Sequence, residues 1–450
     1  MNVKIRRRAA LRTAVTMLSA GALVAAVATT GAAAVNAHKN LPAYPKGKLT
    51  AADIALAAKY IGGKANTAAK GTPVKIGFLN DDAGVPAYPE NVAGAQVALD
   101  LINAKLGGIK GHPLALDECS VNTDAEASTC ATQMVADGVK VVLTGTLALS
   151  DDNPMYTILF AAHIPVVEGN SITADDFTPP AGGTAVTYQP GSPGVIQGMA
   201  KFIGDKGVGG KLPTHVTGFY LQGDTGSQTA FNLLFKTSKY LKGITVNGIA
   251  ISQPWSLSNV ESALSSATTS SGSVLVPIMP VSQCISFAQA MTTLHLTTPV
   301  VTTGLCFGKQ LYTTLHTYPN GWYFGDYGVN YFMYSPKVAA SAQLAVYIAA
   351  VHQYGPMIDY TGFAGPSFNN VLTVAKFYNS LGASATSAQL SAKIKSFTGP
   401  QFGISGPMKC GFDFELPAVC GKYMGIAQFI NKHWVPTDDA YNNKLINAFT

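Results

Sequence analysis

Charged side chains are scarce in this chain: they make up 12% of its 450 residues, against 47% hydrophobic ones. A large apolar core is therefore available, and a disordered chain is excluded, because disorder goes with high charge and few apolar residues. The first 37 residues lack Asp and Glu altogether but hold Lys4, Arg6, Arg7, Arg8 and Arg12. Beyond them 25 basic residues face 24 acidic ones, a net of +1. A nearly neutral body offers no electrostatic footprint for nucleic acid or an anionic membrane, so no nucleic-acid partner is expected.

Catalytic and cofactor patterns are missing as well. The chain has no G-x-S-x-G elbow, no H-E-x-x-H, no phosphate loop and no dinucleotide fingerprint. Lys206-Gly207-Val208-Gly209-Gly210-Lys211 has glycines and lysines without the spacing that cradles phosphate. The eight histidines are scattered, and none accompanies a Cys or Ser in a nucleophile setting. No C-x-x-C pair occurs, which speaks against a metal site. Neither enzyme, cofactor nor metal is expected. No long apolar run follows residue 37; Val338–Val351 is too short to span a bilayer and reads as a buried helix.

What is present begins with an export signal over residues 1–37. A basic start is followed by an uncharged Ala/Leu/Val-rich run, Ala14 to Ala37. Val35-Asn36-Ala37 places small residues where a signal peptidase inspects, so cleavage is expected after Ala37, with Ala34 as second choice. An uncleaved anchor is the alternative reading. Arg7-Arg8 resembles a twin-arginine signal without its usual Phe, which leaves the export route open. The expected location is periplasmic, extracellular or cell-surface. Six cysteines in an exported chain favour disulfides. Six cysteines allow 15 pairings, which leaves the connectivity open, and neighbours in sequence are the natural choice: Cys119 with Cys130, Cys284 with Cys306, Cys410 with Cys420.

Residues 38–72 form an N-terminal extension with one short helix, for which Thr50 and Asp53 resemble a capping arrangement. From Val74 a β-α alternation begins. Val74–Leu79 reads as a strand, and Val92, Ala95, Leu99, Ile102 and Leu106 recur by threes and fours as a helical stripe. Strands follow at Pro113–Asp117, Val139–Leu143 and Ile164–Val167, with helices between. The turn-rich Tyr188–Gly194 reads as an interdomain crossing. The pattern restarts at Val216–Leu221 and continues through Val274–Ile278, Val300–Thr303 and Trp322–Phe324. Helices are expected over Lys337–Tyr354 and Phe368–Leu381, then a hairpin-like tail with strands in Phe402–Ile430. Alternation of this kind implies an α/β fold with right-handed crossovers and parallel sheets.

Within that frame Ile102-Asn103-Ala104-Lys105-Leu106-Gly107-Gly108-Ile109-Lys110-Gly111 resembles a signature of the type I periplasmic binding proteins, branched-chain amino-acid family. Tyr88–Gln96, Val139–Gly145, Ile164–Val167 and Gly321–Phe324 support it by their order, and the resemblance covers about residues 73–435. It implies two Rossmann-like lobes with parallel sheets joined by a three-crossing hinge. Lobe 1 would comprise 73–188 and 330–400, and lobe 2 would comprise 189–329 and 401–440. It further implies an extracytoplasmic, monomeric protein that closes on a small-molecule ligand and delivers it to an ABC permease. A ligand-sensing module reporting to a membrane receptor is the alternative, with the same site.

The resemblance also implies where ligand contacts fall. Tyr88 stands where the family sets an aromatic against the ligand. In the loop Gly145-Thr146-Leu147-Ala148-Leu149-Ser150, Ala148 and Leu149 stand where the family sets hydroxyls, leaving backbone N–H groups to hold a carboxylate. Ser171 with Ile172, followed by Thr173, matches the third loop. In lobe 2, Thr225 stands near the place of a tyrosine, and Thr303 and Gly304 occupy the loop where an acidic residue would meet an ammonium. That loop, through Cys306, has no carboxylate, and Phe368 replaces a polar tyrosine. A carboxylic acid, amide or aromatic ligand is therefore expected rather than a zwitterionic amino acid, since a buried ammonium without a partner is costly. Asp81, Asp82 and Asp224 read as turn residues, with service to an amine site as the alternative.

Overall fold

The alternation read from the sequence becomes two sheets, each covered by helices on both faces. The computed structural model describes residues 47–83, 87–267, 269, 271–326, 341–356, 361–404, 406–437 and 445–450. The expected leader and its cleavage point lie outside these residues. No described helix is long and apolar enough to cross a membrane.

The extension holds α1 (Ala51–Ile61), and its cap is the one expected: Asp53 N–H donates to Thr50 Oγ1 (3.1 Å) and Thr50 N–H to Asp53 Oδ2 (2.9 Å). Its apolar face, Ile54, Ala57, Ala58 and Ile61, is buried in the first lobe's core. There follow β1 (Val74–Asn80), α2 (Glu90–Lys105), β2 (Leu114–Ser120), α3 (Asp124–Ala136), β3 (Val142–Thr144), α4 (Asn153–Ala161), β4 (Val166–Glu168), α5 (Ala174–Phe177) and β5 (Ala185–Thr187). These strands form one parallel sheet in the order β2-β1-β3-β4-β5. Successive β1 residues serve opposite faces, Ile76 and Phe78 one core and Leu79 the other, as the period of two requires.

The second lobe runs α6 (Gly191–Asp205), β6 (His215–Leu221), α7 (Thr225–Thr229), β7 (Thr245–Ile251), α8 (Leu257–Ser265), β8 (Ser273–Pro277), α9 (Val281–Thr293), β9 (Val301–Thr303), α10 (Lys309–Leu315) and β10 (Tyr323–Asp326). Strands β7-β6-β8 are parallel; a bridge between Leu275 and Val300 carries the sheet on to β9 and β10. The chain then returns α11 (Ser341–Tyr354), α12 (Ala364–Leu381) and α13 (Ser387–Ser396) to the first lobe's core. It ends with β11 (Tyr423–Ile430), β12 (His433–Pro436) and β13 (Ile446–Asn447), added antiparallel beyond β10. Each large apolar side chain buried this way contributes about 1.5–3 kcal/mol.

The tail differs from its sequence reading. Residues 402–422 contain no strand among those described, and Phe402, Ile404, Met408 and Cys420 pack in the first lobe's core. Thr187 N–H donates to Ala418 O, and Cys420 N–H donates to Thr187 O, so this segment borders β5. The return to the second lobe therefore falls near Gly421, not at 401. There the two described crossings lie side by side: a Cβ on Gly421 would stand 2.4 Å from Tyr188 O, which only glycine permits. The crossing between Asp326 and Ser341 lies outside the described residues. Three disulfides join Cys119–Cys130, Cys284–Cys306 and Cys410–Cys420, the pairs adjacent in sequence.

Candidate functional site

Loops leaving the carboxyl ends of strands in both sheets face one another across a cleft of about 370 Å³. From the first lobe come the loops after β1 (Tyr88), β3 (Ala148–Ser150) and β4 (Asn170 to Asp175). The second lobe contributes the loops after β6 (Gly223, Asp224), β7 (Trp255), β8 (Ile278–Pro280) and β9 (Thr303–Leu305), and Asp326 at the end of β10. Open parallel sheets bind ligands at this end of their strands.

Tyr88 is held firmly. Its N–H donates to Asp81 O (2.7 Å), and its carbonyl accepts from Asn80 Nδ2 (2.9 Å) and Asn91 Nδ2 (3.2 Å). Its ring meets Phe363 edge to face at 5.8 Å, and both line the cleft. Burial raises its phenol well above the ordinary value. Behind this loop, burial first, then the like charges of Asp82 and Glu126, push the Asp81 carboxyl up to about 7.

Several expected contacts are spent elsewhere. Thr146 is wholly buried: its N–H donates to Asn80 Oδ1 (3.0 Å), and its Oγ1 accepts from Asn91 Nδ2 (3.1 Å). Leu147 packs in the core on the outer face of the first sheet. Ala148 does line the cleft. Ser171 turns inward, its Oγ 2.5 Å from Glu168 Oε2. Thr173 lines the wall, but its Oγ1 donates to Asp152 Oδ2 (2.7 Å) and accepts Asp176 N–H (3.2 Å), fixing the loop. Phe368 is a core residue, edge to face with Tyr347 at 5.1 Å. Helix α12 starts at Ala364, earlier than expected, so Phe363 is the aromatic presented to the cleft. Thr225 opens α7, and its side chain lies outside the described ones.

Thr303 and Gly304 line the cleft, and beside them stands a carboxylate that the sequence reading missed. A Cβ on Gly304 would meet Asp326 Cγ at 2.7 Å, so the bare glycine makes room for this buried acid. Its signal was its place at the end of the strand found at Trp322–Phe324; the acid was sought one strand earlier. Asn170 and Trp255 were also missed. Asn170 Nδ2 and Thr303 Oγ1, on opposite walls, are buried and bonded to no protein group. Buried polar atoms normally find partners, so these two are poised to bond a ligand. Asp175, Asp224 and Asp326 line the cleft, whereas no Lys, Arg or His does so among the described residues. Such a field favours cationic groups and hydrogen-bond donors.

A paired α/β architecture with its pocket between lobes defines a ligand-binding protein of the type I periplasmic binding fold. The sequence pattern of the family described as "Periplasmic binding protein" matches residues 73–410, and the chain belongs to that family. No curated protein matches. Among solved structures, the branched-chain amino-acid transporter substrate-binding protein LivJ from Streptococcus pneumoniae, in complex with isoleucine, is 17% identical with a TM-score of 0.61; the match covers 81% of this chain and 98% of that one. The leucine-binding protein LivK of Thermotoga maritima is 15% identical, with a TM-score of 0.61 and coverage of 81% and 99%. A solute-binding protein of an ABC transporter from R. palustris, in complex with 4-hydroxybenzoate, is 14% identical, with a TM-score of 0.62 and coverage of 81% and 95%. These likenesses are of fold.

Proposed function

We propose that this chain is an exported, non-enzymatic solute-binding protein that closes its lobes on one small organic molecule and delivers it, as a monomer, to an ABC importer. The observation that carries this reading is the cleft itself, walled by strand-end loops of both sheets and lined by unpartnered polar atoms from each. Closure is a hinge motion whose drive is the ligand's preference for the closed form. Two polypeptide crossings lying side by side suit such a motion.

The expectation of an amine-free ligand rested on a missing carboxylate. Asp326 now supplies one against Gly304, with Asp175 and Asp224 nearby. The geometry therefore supports an amine-bearing ligand whose apolar or aromatic part packs against Tyr88, Phe363 and Trp255. An acid or amide terminus would meet Asn170 Nδ2 and Thr303 Oγ1.

Thermal unfolding of residues 38–450 against matched compounds tests this. Leucine and phenylalanine are each set beside the deaminated acid and the amide, and 4-hydroxybenzoate is included because a relative of this fold was solved with it. At about 100 times Kd a ligand adds roughly 2.7 kcal/mol, enough to raise the melting temperature by a few degrees. Shifts with the amine-bearing members, recovered chemically unchanged, are expected. A shift with amine-free members alone would overturn the role of the carboxylates, and turnover of any compound would overturn the binding reading.

A further inference from the structure

The first lobe's cleft wall rests on a group of acids with no base among them. Tyr156, on α4, places its Oη 3.1 Å from Glu168 Oε1 and 2.9 Å from Asp176 Oδ1. A phenol has one hydrogen and can donate to only one of them; the other contact needs a hydrogen on the carboxyl. The two acids are not equally able to carry charge. Asp176 Oδ2 accepts the backbone N–H of Ile172 (2.9 Å) and Thr173 (3.0 Å). Among the described residues the Glu168 carboxyl accepts no N–H, and its other oxygen accepts the Ser171 hydroxyl at 2.5 Å. Burial raises the Asp176 carboxyl too, but its two N–H bonds act to lower it, so of the pair Glu168 is the better placed to keep a hydrogen.

We propose that Glu168 carries a hydrogen in the working protein, and that the resulting chain, Glu168 Oε1–H to Tyr156 Oη–H to Asp176 Oδ1, holds the cleft-lining segment Asn170–Asp175 in place. Glu168 is a positioning residue: it touches no cleft surface itself but fixes the loop that carries Asn170, whose amide nitrogen is unpartnered at the cleft. Every element packed around it contributes acids or neutral groups. Asp152, ahead of α4, accepts from Thr173 Oγ1 (2.7 Å), and its N–H donates to Asp175 Oδ2 (3.1 Å). From α12, Asn370 Nδ2 donates to Glu168 O (2.9 Å). No Lys, Arg or His is bonded to these carboxyls among the described residues. Burial first, then the neighbouring charges of Asp176 and Asp152, raises Glu168 well above the ordinary glutamate range. Burial and Asp176 push Asp152 up to about 9.

The sign follows from proton linkage. A carboxyl raised in the fold binds more hydrogen there than in the unfolded chain, so its contribution to stability falls as pH rises from the ordinary carboxylate range through the raised value. Glu168→Gln keeps a neutral side chain that can donate to Tyr156 and accept from Ser171, and it does not titrate. The difference in melting temperature between E168Q and the unaltered chain should therefore grow with pH between 5 and 8, by about 2 °C per unit. Hydrogen exchange at the Ile172 and Thr173 amides should quicken with pH beyond the chemical rate in the unaltered chain and not in E168Q. A difference constant across this range would mean an ionised Glu168 and would overturn the proposal. Should E168Q fail to fold, the infrared spectrum of the unaltered chain at pH 7 decides. A protonated-carboxyl band that Tyr156→Phe shifts supports the proposal; a band unmoved by Y156F, or none, overturns it. What the loop does for a ligand rests on the cleft reading above, but these measurements use no ligand, so the two can fail separately.

Discussion

The two walls of the cleft solve the same problem with different chemistry. In the second lobe the disulfide Cys284–Cys306 ties the start of α9 to the turn after β9, directly behind Met279–Gln283 and Thr303–Leu305. Both sulfurs are buried in an aromatic core where Phe307 meets Trp434 at 4.8 Å and Tyr318 at 5.2 Å. In the first lobe the corresponding loops hang on hydrogen bonds among Tyr156, Glu168, Ser171, Thr173, Asp152 and Asp176. A crosslink with rings around it is indifferent to pH but open to reduction; a network of buried carboxyls is the reverse. The walls should therefore fail under different conditions.

The comparison breaks most sharply at Phe307. Phe307→Ala opens a cavity among Tyr318, Phe324 and Trp434 and should cost about 3–5 kcal/mol. Hydrogen exchange should then quicken across β9 and β10 while β1 and β3 keep their protection. Next in size is the disulfide: replacing Cys284 and Cys306 together by Ala should cost about 2–4 kcal/mol. It should also weaken ligand binding more than loss of Cys119–Cys130, which ties β2 to α3 away from the cleft. The smallest change is Tyr156→Phe, which removes the hydroxyl that Glu168 and Asp176 share and should cost about 1–3 kcal/mol. Its effect should vary with pH, whereas the two second-lobe variants should show a constant deficit from pH 5 to 8. Equal pH dependence in all three would erase the distinction between the walls.

The fold was largely legible because period and punctuation carry it. The β1 strand, the α2 stripe and the restart at β6 follow from local pattern, and of the 15 pairings open to six cysteines the chain uses the one between sequence neighbours. Strand β5 has three residues, and β7 is an edge strand with an exposed face, so neither has the apolar run that marks a buried strand. The 402–420 segment was assigned to the wrong lobe because its burial comes from contacts distant in sequence, which no local pattern encodes.

Within the site, sequence identified the loops better than the side chains. Ser171 and Asn170 are adjacent, yet one turns to Glu168 and the other lines the cleft. Thr146 and Ala148 divide in the same way. Direction depends on backbone angles at each loop residue, and a residue-by-residue likeness at low identity does not carry them. Asp326 shows the same limit for charge: a carboxylate stands against Gly304, brought there by the neighbouring strand.

The central claim is that a small molecule is bound between the lobes. Ala148 is exposed on the first-lobe wall, so Ala148→Trp fills the cleft without disturbing a core. Calorimetric titration of the unaltered chain and of A148W, with the panel compound that gives the largest melting shift, tests the claim directly. The account predicts saturable one-to-one binding that A148W weakens at least about tenfold, or about 1.4 kcal/mol, while the ligand-free melting temperature stays the same. Equal affinity in the two chains would contradict it, because the ligand would then be bound outside the cleft.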